Sequence, residues 1–258
     1  MLAKRSAYAD GLNWVIRGDQ GVVALSEFKE PERVGLHIIA DYMAALAEAQ
    51  VLTRAFRGHA SAQWKPIPGA WRPGQAGLDS EIEFKVWKRM ARRFVQQQPL
   101  SDIEFLVLAQ HYGIPTSLLD WTTNPLVALY FACLPAQDGD GNEIAVNGEV
   151  IQFNTTGFHT ISKPESVTLY KEARSRPILL DTAFMNARTL AQDSLMTLHC
   201  KGEAPIEASP VFSVSHERKT QVRIALQLFG MSETRIFPDL TVAAQAFKDG
   251  LKINRDSN

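Results

Sequence analysis

The sequence predicts a mixed α+β fold: a single domain with a small, largely antiparallel central sheet flanked by helices. Its 258 residues lie within the range of one large domain, and 45% of them are hydrophobic, which is enough for a sizeable core. Helical and strand patterns are interspersed without the regular βαβ rhythm of a parallel sheet. We expect an N-terminal extension of helix and strand over 1–50 that packs on a main domain over 51–248, followed by a polar tail over 249–258.

The first 97 residues contain two clear helical patterns. Residues 38–49 are rich in helix formers, and their apolar residues are spaced for one buried face. Asp79 and Ser80 can cap a second helix, whose apolar stripe includes Phe84 and Phe94. In chain order the predicted elements are a strand at 22–25, a turn at 29–33, a helix at 38–49, a strand at 51–57 that ends at Gly58, a loop rich in proline and glycine at 66–77, and a helix at 81–97.

Two shorter helices are predicted in the middle of the chain. One covers 103–111, with Ser101 or Asp102 as its cap and Gly113 after its end. The other begins at Asn124-Pro125 and is apolar almost all round, which is typical of a buried helix. The later predicted elements are a polar loop at 137–148, a strand at 149–153, weaker strands at 178–180, 196–199 and 211–214, a helix at 219–229, a short strand at 235–237 and a helix at 240–247.

Composition and charge argue against several classes of protein. The formal net charge of −1 gives no global attraction to nucleic acid or to an anionic membrane. With only Cys133 and Cys200, neither a disulfide framework nor a cysteine-rich zinc site is available. The six histidines show no metal-binding spacing, so no metal is predicted. The absence of an 18-residue apolar run and of a signal-like start predicts a cytoplasmic protein without a membrane partner, with secretion by a signal-free route left open.

Arg57 is the first candidate functional residue. It ends an apolar strand and precedes Gly58, so its guanidinium is expected to be partly desolvated and to need an anionic or carbonyl partner. The glycine permits close approach of a ligand or of another backbone segment. Two interpretations follow: a clamp for phosphate or carboxylate, or a structural arginine that pairs with an internal aspartate or with carbonyl groups.

The second candidate is the polar segment between Gln110 and Asn124. His, Tyr, Gln, Asp, Trp, Thr and Asn side chains are concentrated there between apolar elements, an unusual polar load for a core. We interpret Asp120 to Asn124 as the turn that begins the buried helix, whose free N–H groups and positive dipole end attract anions. Structural alternatives remain, because Thr122 and Asn124 can be simple caps and His111 a helix-end histidine. The chain has neither a glycine-rich phosphate loop nor a nucleophile elbow.

These residues resemble the FRG domain family, which is named for its Phe-Arg-Gly signature. The resemblance extends over roughly residues 50–245, and Ser117 departs from it, because an arginine is expected there. The segments that carry it are Phe56-Arg57-Gly58 with Trp64, 68–72, 110–116, 118–122, 124–126 and 128–132, with weaker echoes at Arg188, Gln192, Thr197, His199 and 237–240.

The resemblance assigns residues 51–248 to an FRG domain and extends to the layout of Arg-Ser-Glu-type ADP-ribosyltransferases. It therefore implies NAD as a co-substrate, with Arg57 at the NAD phosphates. The acidic group that stabilises the oxocarbenium-like centre would come from a later strand, for which Glu207 and Glu233 are the candidates. The residues assigned to catalysis are His111, Asp120, Glu207 and Glu233, and those assigned to cofactor binding are Arg57, Gly58, Gln110, Tyr112, Thr116, Trp121, Thr122, Asn124, Gln192 and His199.

Three functions stay open at this point. The first is NAD cleavage or ADP-ribosyl transfer to a protein, DNA or RNA target, in a bacterial or phage defence or toxin context. The second is a non-catalytic module that binds or senses a nucleotide or a nucleic acid. The third is a recognition partner in a defence or toxin assembly, whose pocket binds a small signal. The sequence does not predict the oligomeric state.

Overall fold

A seven-stranded sheet forms the centre of the fold. The computed structural model describes residues 15–18, 21–24, 28–49, 54–95, 100–161, 169–170, 177–182, 185–200 and 206–256. The strands are β1 Val15–Gly18, β2 Gly21–Ala24, β3 Arg54–His59, β4 Leu118–Thr122, β5 Ala136–Gln137, β6 Glu143–Ile144, β7 Gly148–Asn154, β8 Thr160–Ile161, β9 Ile178–Asp181, β10 Ser194–Leu198 and β11 Ser209–Val214. The helices are α1 Glu30–Glu48, α2 Glu81–Ala91, α3 Asp102–His111, α4 Pro125–Ala132, α5 Ala187–Ala191, α6 Lys219–Leu228, α7 Glu233–Ile236 and α8 Leu240–Asp256.

The predicted α+β class and the largely antiparallel sheet are confirmed. The central sheet has the order β11-β7-β3-β4-β10-β9-β8, and β8–β9 is its one parallel pair in the described part of the chain. β1 pairs with β2 and β5 with β6 in two separate hairpins. No helix within the described ranges is long and apolar enough to cross a membrane.

The sheet is split in its middle. β3 pairs with β7 along its whole length, from Arg54↔Asn154 to His59↔Glu149, and β4 pairs fully with β10. Between β3 and β4, however, the described register contains the single pair Phe56↔Thr122. Beyond that pair the two strands diverge, and we call the gap the β3–β4 split.

Helices cover one face of the sheet on both sides of this split. Phe56 and Val150 pack in the apolar cluster of α1, α4 and α6, whereas Leu118 and Met196 pack in the cluster of α2 and α3. The opposite face carries a smaller cluster that includes Trp121. The β3–β4 split therefore opens between these two groups of helices. Because side chains alternate along a strand, the smaller cluster lies on the other face.

Gly58 allows α4 to pack closely against the sheet. A Cβ atom at this position would lie 1.9 Å from the Ala128 carbonyl oxygen, and one at Gly148 on the neighbouring strand would lie 1.9 Å from the Ala132 carbonyl oxygen. Only glycine permits so close an approach of helix and sheet backbones. The backbone of α4 is therefore what approaches Gly58 in the described structure.

Most of the predicted helices and strands lie where the sequence placed them. α3 carries the expected Ser101 cap, whose hydroxyl accepts from the Glu104 N–H at 3.2 Å. The predicted N-terminal extension contributes α1, which packs against α6. Residues 51–53 of the predicted strand lie outside the described residues, as do Leu25 and residues 96–97.

Several predictions of local structure are wrong. A turn is predicted at 29–33, but residues 30–33 are the start of helix α1. The Glu32 carboxylate accepts from the Lys29 N–H at 3.0 Å and so caps that helix. Residues 235–237 are not a strand, since α7 ends at Ile236 and Ser232 caps it. α2 ends at Ala91, short of the predicted Gln97. The predicted loop at 137–148 contains the β5–β6 hairpin, and α8 runs on to Asp256, through most of the predicted tail.

We expect Gly58→Ala to lower the free energy of unfolding by about 1–3 kcal/mol, because α4 must shift to admit the methyl group. Urea unfolding measures this change. Gly139→Ala is the matched control, since nothing lies within 4 Å of a Cβ atom at Gly139. Equal stability of the two variants would contradict the assigned role of Gly58.

Candidate functional site

A cavity of about 150 Å³ lies at the β3–β4 split, between α3 and α4. Its volume is close to that of cavities that hold one benzene-sized ring. Its polar lining comes from strands, helices and a distant segment of the chain that follows β9. The described residues that line it are Phe56, Arg57, Gly58, Val107, Gln110, His111, Asp120, Trp121, Thr122, Val127, Phe131, Asn186, Arg188, Thr189, Gln192 and Met196.

Arg57 joins the two halves of the sheet across the split. Its Nη1 donates to the Asp120 carbonyl oxygen at 2.6 Å, and its Nε donates to His59 Nε2 at 3.0 Å. The side chain is only 17% exposed, and burial lowers the pKa of its guanidinium, an effect that the Asp120 carboxylate opposes. A guanidinium remains charged at neutral pH and has five N–H donors. The hydrogen bonds of the described residues engage Nε and Nη1, which leaves Nη2 for an anion.

Asp120 supplies the carboxylate of the cavity and is held by a chain of side chains. Thr116 donates to the Gln110 side-chain oxygen, and Gln110 Nε2 donates to Asp120 Oδ1 at 2.6 Å. Asp120 Oδ2 lies 4.0 Å from Arg57 Nη1. The Asp120 side chain stays 49% exposed, so this carboxylate is oriented on one side and accessible on the other.

His111 and Arg188 contribute the remaining titratable groups of the cavity wall. Burial and the Arg188 charge both lower the pKa of His111, against the opposing effect of Asp239, so the imidazole is neutral at physiological pH. A neutral imidazole can accept a proton. The Arg188 guanidinium carbon lies 5.1 Å from the centre of the Phe237 ring, a cation–π contact that positions its charge without neutralising it.

Thr122 and Asn124 hold the start of α4. The Thr122 hydroxyl donates to the Gln192 carbonyl oxygen at 2.7 Å and accepts from the Asn124 N–H at 3.0 Å. Asn124 caps the helix, because its Oδ1 accepts from the Leu126 N–H at 3.0 Å, and its Nδ2 donates to Asp193 at 3.0 Å. The anion seat expected at this helix start is thus partly filled by Asn124 itself. Residues 120–122 belong to β4, which corrects their interpretation as a turn.

The structure brings eight of the predicted site residues together and leaves six outside the cavity wall. Arg57, Gly58, Gln110, His111, Asp120, Trp121, Thr122 and Gln192 line it; Tyr112, Thr116, Asn124, His199, Glu207 and Glu233 do not. Thr116 and Asn124 support residues of the wall, and His199 is buried beside Trp71. Glu207 and Glu233 are exposed, so neither takes the acidic role inside the cavity. Asp120 is the only acidic residue among the described residues of the wall.

Sequence reasoning missed His59, Asn186 and Thr189. Asn186 and Thr189 form a capping pair at α5, in which the Thr189 N–H donates to Asn186 Oδ1 at 2.9 Å, and this spacing is visible in the sequence. Nothing in the sequence, however, places α5 against β3. No group of three or more His, Cys, Asp or Glu side chains in the described ranges could hold a metal ion.

The mixed fold and this cavity define an α+β protein with a polar, arginine-containing pocket at a split in its sheet. Residues 53–141 match the FRG domain family model, and this segment is therefore assigned to an FRG domain. The matched segment includes Arg57, Gln110, His111 and Asp120, and it ends before α5 and Arg188. Comparison with curated proteins and with solved structures finds no match.

Two buried histidines make the folded state sensitive to acid. His59 Nε2 accepts a hydrogen bond from Arg57, and burial, Arg57 and Arg72 lower the pKa of His59 to about 3, while burial lowers that of His199 to about 4. In the unfolded chain both titrate near pH 6.5. Below that pH the unfolded state binds protons that the folded state does not, so stability falls as the pH is lowered.

We expect the free energy of unfolding to fall between pH 6.5 and pH 5 by up to about 1.4 kcal/mol per pH unit for each histidine. His59→Gln removes one titrating group and keeps an acceptor for the Arg57 Nε–H. Urea unfolding at both pH values should therefore give a smaller difference in the variant. The same pH dependence in the two proteins would rule out the neutral, buried state of His59.

Proposed function

We propose that the cavity at the β3–β4 split, which we call the Arg57 pocket, binds an NAD-type nucleotide through its phosphates and cleaves its N-glycosidic bond, with transfer of ADP-ribose to an acceptor. One observation carries this proposal: two arginines and one half-exposed carboxylate, Arg57, Arg188 and Asp120, line a single ring-sized cavity. The supporting context is the FRG domain, and the setting we propose is a bacterial or phage defence or toxin protein that acts in the cytoplasm. The acceptor would be a macromolecule: protein, DNA or RNA.

Phosphate binding suits the charge balance of the pocket. Arg57 and Arg188 contribute two positive charges, Asp120 contributes one negative charge, and His111 is neutral. Arginine binds phosphate oxygens with a planar fork of donors, and such hydrogen bonds are stronger in a partly buried site. Gln192 and Asn186 add amide groups at the same wall. The pocket is therefore suited to a ligand that carries phosphate.

The size of the cavity and the place of Asp120 support the reaction. The volume of about 150 Å³ holds a single ring such as nicotinamide, so the adenosine half of a dinucleotide must lie outside the cavity. When the bond between nicotinamide and ribose C1′ breaks, both bonding electrons leave with the neutral nicotinamide. C1′ then becomes positively charged, and the oriented Asp120 carboxylate can stabilise that charge. The acceptor bonds to C1′ and loses its proton, for which neutral His111 is the base in the pocket.

We expect Arg188→Gln to weaken binding of an uncleavable carba analogue of NAD by about 10–100-fold, because a charge-assisted contact with phosphate is lost. Calorimetry measures this affinity. Arg188 is the more informative arginine, since Arg57 also bridges the sheet; Arg57→Lys should weaken binding and also lower stability. Arg89→Gln, an exposed change on α2 outside the cavity wall, is the control. Unchanged affinity in both Arg188→Gln and Arg57→Lys would refute phosphate binding at this pocket.

We expect Asp120→Asn to reduce nicotinamide release from NAD by about 10²–10³-fold, since the charge opposite C1′ is removed. The affinity for the carba analogue should change little. Glu207→Gln and Glu233→Gln are matched controls, because both carboxylates are exposed and lie outside the cavity wall. Release is followed by chromatography. If a glutamate variant lost the activity and Asp120→Asn kept it, the assignment of Asp120 would be wrong.

A second candidate function is nucleotide or nucleic-acid binding without catalysis. Arg57 is held in place by the Asp120 carbonyl oxygen and by His59. An arginine held in this way can bind an anion without any reaction. Arg89, Arg92 and Arg93 are exposed at the end of α2 and offer further positive charge to a phosphate backbone. Tight binding of the carba analogue, together with no nicotinamide release from NAD itself in the presence of protein, DNA or RNA, would favour this function.

A further inference from the structure

An apolar groove of about 770 Å³ lies between α2 and α3, next to the cavity at the β3–β4 split. We call it the α2–α3 groove. The described residues that line it are Trp87, Met90, Ala91, Phe94, Val95, Leu100, Glu104, Val107, Leu108, Tyr112, Met185 and Asn186. Phe94 is 84% exposed and Tyr112 is 70% exposed, so two aromatic rings stand open to solvent at one site. Exposed apolar patches of this kind are typical of binding surfaces.

The groove and the Arg57 pocket are neighbours. Val107 and Asn186 line both of them, so the two spaces share a wall. α3 also connects them: Gln110 and His111 face the pocket, whereas Leu108 and Tyr112 face the groove. The His111 and Tyr112 ring centres are 5.1 Å apart. The groove and the pocket are therefore adjacent, and a ligand that spans them must pass Val107 and Asn186.

The side chains that line the groove indicate which part of a ligand it would bind. Its described lining contains no lysine or arginine and a single acidic residue, Glu104, so it does not attract a phosphate. Trp87, Phe94 and Tyr112 supply flat rings, and Trp87 is fixed by the bond from its Nε1 to the Phe105 carbonyl oxygen at 2.9 Å. Aromatic side chains bind nucleobases by stacking. A neutral, flat heteroaromatic ring fits this lining better than a charged group.

We propose that the α2–α3 groove binds the purine base of a dinucleotide whose other ring occupies the Arg57 pocket. The inference rests on the proposed function, and it names the ligand class more closely: a two-base nucleotide that spans both spaces around Val107. It also accounts for the small size of the cavity, which holds one ring of such a ligand while the phosphates stay near Arg57 and Arg188.

The test compares two uncleavable probes in calorimetry: the carba analogue of NAD, and the carba form of nicotinamide mononucleotide, which lacks the adenosine half. Phe94→Ala and Tyr112→Ala should each weaken binding of the full analogue about tenfold or more and leave binding of the half analogue unchanged. Ile82→Ala is the matched control, since Ile82 is 75% exposed on the same helix as Met90 and does not line the groove. Circular dichroism confirms that the variants are folded.

The outcomes separate the two proposals. If the wild-type protein binds both probes and the groove variants bind the full analogue equally well, the groove inference is overturned and the proposed function stands. If the wild-type protein binds neither probe, the proposed function fails and the inference fails with it. A change in particle mass of the groove variants by light scattering, at constant affinity, would identify the groove as a contact between two copies and would also overturn the inference.

Discussion

The hydrogen bond from Arg57 to the Asp120 carbonyl oxygen, 2.6 Å long, spans a gap where β3 and β4 would otherwise exchange backbone hydrogen bonds. The two halves of the central sheet are joined in register only at Phe56 and Thr122 in the described structure, and the cavity opens beside that junction. The guanidinium therefore has two functions at once: it satisfies a strand carbonyl that has lost its ladder partner, and it brings a positive charge to the cavity wall. The structural interpretation of Arg57 is confirmed by this hydrogen bond, and the clamp for phosphate or carboxylate stays a proposal.

The residues around Arg57 hold its guanidinium in place without pairing it closely with a carboxylate. His59 accepts the Nε–H as a neutral imidazole, and the Asp120 carboxylate is drawn toward Gln110, with its other oxygen 4.0 Å from Arg57. A close, bidentate pair with Asp120 would satisfy the guanidinium and leave little for a ligand. Gln110, which itself accepts from Thr116, instead holds Asp120 Oδ1 by a hydrogen bond of 2.6 Å. The network thus orients both charges without allowing them to neutralise each other fully.

The local patterns that the sequence predicted well are those with their own physical cause along the chain. Ser101 and Asn124 cap helices because side-chain oxygens bind N–H groups two or three residues away, and such spacings can be recognised in a sequence. The predictions that failed concern segments whose structure does not follow from neighbouring residues alone. Leu118 to Thr122 forms a strand because β10 pairs with it from more than seventy residues along the chain. The short run at 235–237 is predicted as a strand, but the upstream cap at Ser232 begins a helix that includes Arg235 and Ile236.

The sequence by itself determined the α+β class, the FRG motif and the pairing of Arg57 with the polar segment around Asp120, since each depends on residue type and spacing. Only the tertiary structure decided which of the polar residues share a cavity. It excluded Glu207 and Glu233 from the cavity wall, added Asn186 and Thr189, and showed that Gly58 lets a helix pack closely on the sheet. The reason is physical: a cavity is formed by elements that pack across the sheet, and that packing depends on long-range burial, which no local spacing encodes.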